Sequence, residues 1–434
     1  MRNRSVFSLF TLILVIFGLF AACADTSSSD SDDSGIPIPN PKIYTVSFET
    51  NGGSPAPKQQ SVADGLTFVL PPAMTKTDYI FGGWYKEAAC NSQWDFAYDT
   101  VTDNIKLYAQ WYTPILVPGT TLAEKLQWLK SNATSNSGYI LEVTADENLA
   151  PQNISYNNKF YITVQLQGSG NPKVITLSDN GSLFSIGNFI TLILDKNLTL
   201  VGKNNNNASL VTVYGNLIMN QGVKITGNVY NYPNFNSMGG GVYVHHKGTF
   251  IMSGGEISDN SNFVSYGGGV VVSGCFTMSG GKISNNTVSG NNRCGGGGVL
   301  VEGHFTMSGG EISGNTVITS STSSVTPLSG GGGVCVNGRT LSIFDKTGGT
   351  IYGYTAESSK SNVVKNNFGI VNKHGHAVYA YSTGIYANVN DGIDYIKRKE
   401  TTAEPGNNLS YSWGTWGGDH RWWGLPVWSG AWDN

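Results

Sequence analysis

The chain has few charged residues, which make up 13% of its 434 positions. Its 26 Lys and Arg residues are outnumbered by 29 Asp and Glu residues, and they form no basic cluster or stripe. Nucleic-acid binding depends on a positively charged surface that neutralises phosphates. We therefore expect no nucleic-acid partner.

Cysteine is scarce as well, with five residues in the chain. No two of them have the CxxC spacing and no His stands at ligand spacing beside them, so we expect no metal site and no cofactor. Cys90, Cys275 and Cys335 are expected to be single thiols. A disulfide bond from Cys294 to Cys275 or Cys335 stays open as an alternative.

Glycine, by contrast, is abundant with 56 residues, and it recurs in a segment that occurs three times. The copies start with three glycines and a Val-x-Val pair, at Gly239, Gly267 and Gly296. Each copy ends with Phe-x-Met-Ser-Gly-Gly-x-Ile-Ser-x-Asn. A self-similar period of this length indicates one supersecondary unit that stacks on copies of itself.

Apolar residues alternate within each copy, which is the pattern of strands that turn one side toward a core. Stacking would place like residues above one another at about 4.8 Å per turn and form continuous ladders inside a tube. Stacked Asn amides can also bond each other along the tube. The predicted ladders are Val242, Val270, Val299 and Val334; Phe250, Phe276 and Phe305; Met252, Met278 and Met307; Ile257, Ile283 and Ile312; and Asn260, Asn286 and Asn315.

Three strands per repeat with tight Gly-Gly corners resemble the right-handed parallel β-helix, which is a solenoid. We therefore predict an all-β chain in which residues 139–404 form this solenoid. A leucine-rich-repeat arrangement or an antiparallel arrangement of the strands stays open as the alternative.

Residues 44–112 form a separate predicted domain. An opening strand leads to the turn Asn51-Gly-Gly, a central Phe-Gly-Gly-Trp84-Tyr follows, and Leu-Tyr-Ala-Gln-Trp111 closes the segment. These residues closely resemble the InlB B-repeat, or Listeria–Bacteroides repeat, family. The resemblance implies a small β-grasp-like domain that serves as a spacer or adhesive module on bacterial surfaces, with Trp84 and Trp111 in its core.

An apolar run over residues 6–20 follows two Arg residues and precedes Ala-Ala-Cys23. This order predicts an export signal over residues 1–22. The segment resembles a bacterial lipobox, although Phe20 stands where Leu is usual, and the resemblance implies that Cys23 is lipidated, for example with palmitate. An ordinary signal peptide cut nearby and an uncleaved span, for which the run is short, are the alternatives.

The composition of the other segments sets their predicted boundaries. Residues 23–43 are rich in Ser, Asp and Pro and are predicted to be a disordered tether. Leu122, Leu126 and Leu129 share one face of a helix, so residues 113–138 are predicted to be a linker and a helix that caps the open end of the solenoid. The order of lipobox, B-repeat and glycine-rich repeats resembles surface lipoproteins of host-associated bacteria, spirochaetes in particular.

Candidate catalytic residues are few. Glu256, Lys282 and Glu311 fall in one column, either as paired carboxylates for sugar cleavage or as alternating charges that pair across strands, and we favour the ion pairs. Polysaccharide-cleaving enzymes on this fold need several carboxylates on adjacent turns, whereas the outward columns here are mostly Ser, Thr and Asn. We expect no enzymatic activity. We also expect His245 and His246 to be solvated loop residues and not a metal pair.

Residues 405–434 contain six of the ten Trp residues. One interpretation is an aromatic platform that contacts a sugar or a protein. The other, which we favour, is a cap that folds over the last turn and buries the rings, and the two roles can coexist. The residues concerned are Tyr411, Trp413, Trp416, Trp422, Trp423, Trp428 and Trp432.

Regular ladders without catalytic residues predict a non-enzymatic protein of the bacterial cell envelope, held on the outer-membrane surface by its lipid anchor. We expect its β-helix to act in adhesion, with a host protein or a glycan bound by the uneven loops that follow Asn260, Asn286 and Asn315. A β-helical polysaccharide lyase or glycoside hydrolase and a purely structural spacer are the alternatives.

Overall fold

The structure, a computed structural model, describes residues 42–96, 98–232, 238–264, 266–290, 295–319, 330–337, 342–353, 359–366, 368–369, 377–381 and 396–398. The predicted signal peptide and Cys23 lie outside the described residues, as does the predicted tether up to residue 41. The same holds for Cys294 and for the predicted Trp-rich cap with its seven aromatic residues.

A small mixed β-sheet forms the N-terminal domain. Its first and last strands are parallel neighbours at the centre of the sheet, and each has an antiparallel strand on its outer side. The four strands are β1 Ile43–Glu49, β2 Gln60–Ala63, β3 Ile80–Tyr85 and β4 Ile105–Tyr112. Trp84 is buried among apolar side chains, and Trp111 is half-buried and donates from Nε1 to the carbonyl oxygen of Thr50 at 2.8 Å.

A short strand, β5 Pro114–Leu116, and the helix α1 Leu122–Asn132 connect the two parts of the chain. Thr121 caps the helix: its hydroxyl accepts from the Glu124 amide, and the Glu124 carboxylate accepts from the Thr121 amide, at 3.2 Å each. This reciprocal capping satisfies backbone donors that a helix start would otherwise leave unpaired. Leu122, Leu126 and Leu129 are buried in the core of the solenoid. The helix therefore caps the first turn, as predicted.

The rest of the described chain is a parallel β-helix, and the predicted all-β fold with a small N-terminal β domain is confirmed. Its strands, in chain order, are β6 Ser137–Val143, β7 Glu147–Leu149, β8 Gln152–Ile154, β9 Ile162–Gly168, β10 Lys173–Leu177, β11 Phe184–Ile186, β12 Ile190–Leu194, β13 Leu198–Val201, β14 Val211–Val213, β15 Asn216–Met219, β16 Val223–Thr226, β17 Val229–Tyr230, β18 Val242–Val244, β19 Thr249–Met252, β20 Glu256–Ser258, β21 Ser261–Asn262, β22 Val270–Val272, β23 Cys275–Met278, β24 Lys282–Ser284, β25 Thr287–Gly290, β26 Val299–Val301, β27 His304–Ser313, β28 Thr316–Thr319, β29 Val334–Asn337, β30 Ile343–Ile351, β31 Val363–Asn366, β32 Val378–Tyr381 and β33 Ile396–Arg398.

Strands of successive turns pair in parallel and form four faces. Face A contains β5, β6, β9, β12, β15, β19, β23, β33 and the first halves of β27 and β30, and face B contains β7, β10, β13, β16, β20, β24 and the second halves of β27 and β30. Face C contains β8, β11, β14, β18, β22, β26, β29 and β32, and face D contains β17, β21, β25, β28 and β31. The prediction of three strands per turn therefore holds for the first turns, and later turns add a fourth short strand after the Asn corner.

Aromatic side chains stack along the interior of face A. Phe250, Phe276 and Phe305 lie at equivalent positions of successive strands, with ring centroids 4.6 Å apart and planes tilted by 7°. Phe344 extends the stack by one turn at 5.0 Å. All four rings are buried, so one column of the core is a continuous offset stack of benzene rings.

Asparagine side chains form a second interior column. The Nδ2 atom of Asn260 donates to Oδ1 of Asn286 at 3.1 Å, Asn286 donates in the same way to Asn315 at 3.0 Å, and Asn315 to Asn362 at 2.9 Å. These Asn residues are fully buried. Asp259, Asn285 and Gly314, at φ 59°, 58° and 67°, stand directly before Asn260, Asn286 and Asn315, so a left-handed corner precedes each of these three amides.

The outer side of face C is also buried. Val271, Leu300 and Cys335, which stand between the two inward valines, are at most 1% exposed. The glycine-rich loop before each strand lies against them: a Cβ atom on Gly267 would come within 2.3 Å of Val271. The same runs pack on the next turn, since a Cβ on Gly268 would lie 2.5 Å from the carbonyl oxygen of Gly297. Face C is therefore covered by its own loops.

Candidate binding surface

The loops predicted as a contact surface begin as strands of face D. At the end of β21, the side-chain amide of Asn262 donates to the carbonyl oxygen of Tyr266 and so ties the two ends of the loop together. The same amide donates to the carbonyl oxygen of Met238 on the preceding turn at 2.6 Å. Phe263 at its tip is 49% exposed. The two later loops leave the described residues after β25 and β28, so their predicted role in binding stays a prediction.

The N-terminal domain packs on the outer side of face A. Ile193, Ile218 and Ile251 occupy one outward column of β12, β15 and β19. They are buried in the same apolar cluster as Phe81 and Trp84 of the N-terminal domain. Outward isoleucines on three successive turns would otherwise be exposed to water, so their burial stabilises the contact between the two domains.

Polar bonds extend this contact along the tube. The Thr163 hydroxyl donates to the carbonyl oxygen of Phe81 at 3.3 Å, at one end of face A. The Thr277 hydroxyl, four strands further along face A, donates to the carbonyl oxygen of Leu70 at 3.4 Å. We name the surface formed by these two threonines and the outward isoleucines of face A the domain junction.

A Cys, a His and an Asp follow one another near the end of the domain junction. Cys275 pairs in register with His304, and Nε2 of His304 lies 3.7 Å from Oδ2 of Asp345. The Cys275 thiol donates to the carbonyl oxygen of Phe96 at 3.4 Å, and burial raises its pKa to about 12. A thiol with this pKa is protonated at neutral pH and is a poor nucleophile.

The charged column on face B consists of ion pairs. Glu256 lies between Lys224 and Lys282 in register, and Glu311 follows Lys282. The Lys224 ammonium is 3.7 Å from the Glu256 carboxylate, and the Lys282 ammonium is 3.2 Å from that of Glu311. Each carboxylate is thus matched with a cation on a neighbouring strand, which fits charge pairing across strands.

Aromatic residues line the corner between face C and face A, a site that the sequence analysis missed. Tyr161 lies directly before β9, and Phe189 lies directly before β12. Tyr214 directly follows β14, and His245 directly follows β18. Phe160 joins them, with its ring 5.2 Å from that of Phe189. We name these five residues the aromatic strip.

The rings of the aromatic strip form two contacting groups, one of Phe160, Tyr161 and Phe189 and one of Tyr214 and His245. Tyr161 and Phe189 are 5.7 Å apart, and Tyr214 and His245 are 4.6 Å apart, between ring centroids. Phe160 and Phe189 are 44% and 47% exposed. The two groups lie at the same corner of successive turns, and neighbouring strands of the tube are about 4.8 Å apart.

Two residues of the strip have an unusual backbone. Tyr161 has φ 58° and Phe189 has φ 62°, in the left-handed region that bulky side chains rarely adopt. Such a conformation costs about 1–3 kcal/mol and persists only where the surroundings hold it. The Tyr112 hydroxyl donates to the carbonyl oxygen of Tyr161 at 3.3 Å, so the N-terminal domain helps to hold this corner.

Polar side chains continue the same corner on later turns. Ser273 and Glu302 follow β22 and β26 at the position that His245 occupies after β18. The Ser273 hydroxyl donates to a Glu302 oxygen at 3.0 Å, and the amide of Asn337 donates to the other oxygen at 3.3 Å. The corner is therefore aromatic in its first half and polar in its second half.

His245 is held in its neutral form at neutral pH. Burial lowers its pKa below the ordinary value of 6.5, and the neighbouring His246 and Lys247 lower it further. The two imidazole rings lie 3.8 Å apart between centroids, tilted by 43°. Among the residues that the structure describes, no three His, Cys, Asp or Glu side chains could hold a metal ion together.

Cys90, Cys275 and Cys335 are free thiols. Cys335 is buried at the outer side of face C, and burial raises the pKa of its thiol. In the described segments no helix has both the length and the apolar character to cross a bilayer.

The fold defines a repeat protein: a parallel β-helix with a small β domain packed on one face. Residues 44–110, within that domain, match the model of the Listeria-Bacteroides repeat domain. The resemblance inferred from Asn51, Trp84 and Trp111 is thus confirmed. The match is confined to this domain and places no family name on the β-helix.

Three relatives share part of the chain. A protein of Evansella cellulosilytica described as a candidate membrane protein is 41% identical over 69 residues, and a second from the same organism, described as a candidate glycine-rich membrane protein, is 39% identical over 70 residues. Internalin H of Listeria monocytogenes is 39% identical over 75 residues. These matches cover 16%, 16% and 17% of this chain, and the chain spans 10%, 8% and 13% of the three relatives.

Proposed function

We propose that this chain is a non-enzymatic protein of the bacterial cell surface, held there by a lipid on Cys23, and that its β-helix presents an adhesive surface to a host protein or a glycan. The similarity to internalin H and to two relatives described as membrane proteins supports an envelope location. The similarity is partial, so the activity of those proteins is not transferred with it.

The observation that carries the proposal is the domain junction. Ile193, Ile218 and Ile251 hold the repeat domain against the side of the tube, so the two parts form one stiff body. The interior Phe and Asn columns hold successive turns of that body in register. A rigid scaffold with loops of uneven length presents binding residues at fixed positions, which is the arrangement that adhesion requires.

Chemistry at the described surface supports binding over catalysis. The Glu256 and Glu311 carboxylates are engaged by lysines, and the Cys275 thiol is protonated and enclosed. General acid–base cleavage of a glycan needs two carboxyl groups that face a common substrate with separated pKa values. We therefore assign to the outer faces of the tube the binding of a partner and not its cleavage.

The lipid anchor has its own test. Cells that express the full chain are labelled with palmitate, and the protein is partitioned into a detergent phase. We expect label and detergent partition in the natural chain and the loss of both in Cys23→Ser. A Cys23→Ser protein that keeps both would contradict anchoring at this residue.

The adhesive role is tested with residues 24–434, which lack the export signal and the lipidated Cys23, against a panel of polysaccharides and host-matrix proteins. Retention and the release of new chain ends are scored in the same wells. Retention without new ends supports the proposal. New ends that accumulate with time would replace it with a carbohydrate-active enzyme, and the lack of any retention would replace it with a structural spacer.

A further inference from the structure

We propose that the aromatic strip and its polar continuation bind a linear, neutral polysaccharide that lies along the tube axis. This inference rests on the proposed adhesive function and names a ligand class and a site for it. The site differs from the loops on face D and from the Trp-rich C-terminal segment, which were the contact surfaces predicted from the sequence.

The first argument is the chemistry of the exposed rings. Phe160 and Phe189 keep nearly half of their surface in water, although each lies beside other aromatic rings. A sugar ring has an apolar C–H face and a rim of hydroxyl groups. Its apolar face packs on an aromatic ring and removes both surfaces from water.

The second argument is the repeat of the site. Tyr161, Phe189, Tyr214 and His245 lie on four successive turns, at about 4.8 Å per turn. This advance is comparable with that of one sugar residue in an extended chain. A row of rings with this period suits a polymer of rings better than it suits the irregular surface of a globular protein.

The third argument is the polar half of the corner. Ser273, Glu302 and Asn337 are joined by hydrogen bonds, so their oxygen and nitrogen atoms hold fixed positions. Binding sites for small organic groups combine aromatic walls with a few oriented polar atoms. The sugar hydroxyls would bond to this half while other sugar rings pack on the aromatic half.

Charge separates this ligand from single-stranded nucleic acid, whose bases also stack on aromatic rings. Nucleic-acid grooves carry many Lys and Arg residues along the phosphate backbone. Here Lys247 follows the strip and Glu302 stands in its polar half, so the corner holds charges of both signs. The chain as a whole has a formal net charge of −3. These charges favour a neutral polymer.

The strained backbone at Phe189 is consistent with a preformed site. A Phe at φ 62° is strained, whereas a Gly or Asn at that position would be easier to accommodate. The Phe189 ring lies outside the tube, and its centroid is 5.2 Å from that of Phe160 and 5.7 Å from that of Tyr161. Rings fixed in advance lose little entropy on binding.

The test uses residues 24–434, without the lipidated Cys23, and the hexasaccharides cellohexaose, mannohexaose, xylohexaose and chitohexaose, with calorimetry as the readout. The variant is Phe160→Ser with Phe189→Asn, because Asn tolerates the left-handed backbone and lacks the ring. We expect at least one hexasaccharide to bind the natural chain and the variant to lose about tenfold in affinity. Phe368→Ala removes a 70% exposed ring elsewhere, and we expect it to leave affinity unchanged.

Thermal melts of both variants establish that they are folded, and Phe189→Asn alone is the second variant if the double variant is not. The absence of binding to all four sugars overturns the inference, and so does equal affinity in the natural chain and the folded variant. Tighter binding of oligo(dT) than of any hexasaccharide also overturns it. Retention on matrix proteins that survives in the variant would leave the adhesive function standing and remove only this site.

Discussion

The Thr277 hydroxyl donates a hydrogen bond to the carbonyl oxygen of Leu70, which lies 207 residues earlier in the chain. This bond joins the repeat domain to the seventh strand of face A, while the Thr163 bond to Phe81 joins it near the start. The two bonds therefore fix the repeat domain to face A from β9 to β23, which is five of its ten strands. The resemblance implied a spacer or adhesive module, and here the domain is fixed to the scaffold along its length.

Ile218→Lys is expected to separate the two domains. The substitution places an ammonium group in an apolar contact where Ile218 is 4% exposed, and burial of an unpaired charge is costly. We expect a loss of about 3 kcal/mol in the free energy of unfolding and an increase in the radius of gyration. Equilibrium unfolding and small-angle scattering measure the two quantities.

Thr176→Lys is the matched control, because Thr176 is half-buried on face B away from the junction. We expect Thr176→Lys to change neither the free energy of unfolding nor the radius of gyration by a measurable amount. An Ile218→Lys protein with natural dimensions would show that the junction does not depend on this column.

Asn286→Ala is expected to break the asparagine column at its centre. The substitution removes the Oδ1 atom that accepts from both the backbone N–H and the side-chain amide of Asn260, and it leaves that buried backbone N–H without its acceptor. A buried polar group without a partner costs about 1–3 kcal/mol, so we expect a loss of at least this size in urea unfolding. Asn153→Ala, at an exposed position of β8, should have no comparable effect, and equal losses in both would contradict the role of the column.

Phe276→Ala is expected to leave a cavity between two stacked rings. Phe276 is 1% exposed and contacts Phe250 and Phe305 at 4.6 Å. Truncation of a buried Phe costs about 3–5 kcal/mol, and Phe276→Leu should cost less because it fills part of the space. Thermal unfolding compares the two variants, and equal melting temperatures for Phe276→Ala and the natural chain would refute the stacked core.

His245 should make the fold less stable in mild acid. Its folded pKa is lowered by burial first and by His246 and Lys247 next, so the unfolded chain binds the proton at higher pH than the folded chain does. Stability is then lost as the pH falls through 6.5 toward the folded pKa. We expect His245→Asn to reduce this loss in unfolding curves measured between pH 8 and about 5.

Lys247→Gln checks the cause of that shift. Removal of the neighbouring cation should raise the pKa of His245 toward 6.5, as observed by NMR titration of its ring protons. A His245 that titrates at 6.5 in the natural chain would contradict the prediction.

The interior of the tube was predictable because the repeat places identical residues at identical positions. The spacing of Phe276 and Asn286 within the copies predicts their stacking on Phe305 and Asn315, and the register agrees. Phe344 and Asn362 continue both columns but were missed, since the last turn departs from the repeated segment elsewhere. The available signal was the spacing from Phe344 to the following Gly-Gly pair and to Ile351, which is the same as the spacing from Phe305 to its Gly-Gly pair and Ile312.

The outer surfaces were not predictable in the same way. Outward positions differ from copy to copy, so nothing in the pattern marks Ile218 as buried, and its cover comes from a domain far away in the sequence. The aromatic strip was missed because Tyr161 and Phe189 lie in irregular corners without a repeat. Burial of Val271 by its own glycine-rich loop also depends on tertiary contacts that no local pattern contains.

The close approach of Gly268 to Gly297 has a consequence for how such a chain can evolve. Duplication of a turn adds a new pair of these contacts, and each accommodates only a hydrogen atom at the Cα position. The loops can lengthen or shorten between copies, whereas a glycine triplet that mutates would block the next turn. Divergence among the copies is therefore expected in loop length and outward residues, and the abundance of glycine reflects tight packing of the turns and not a flexible chain.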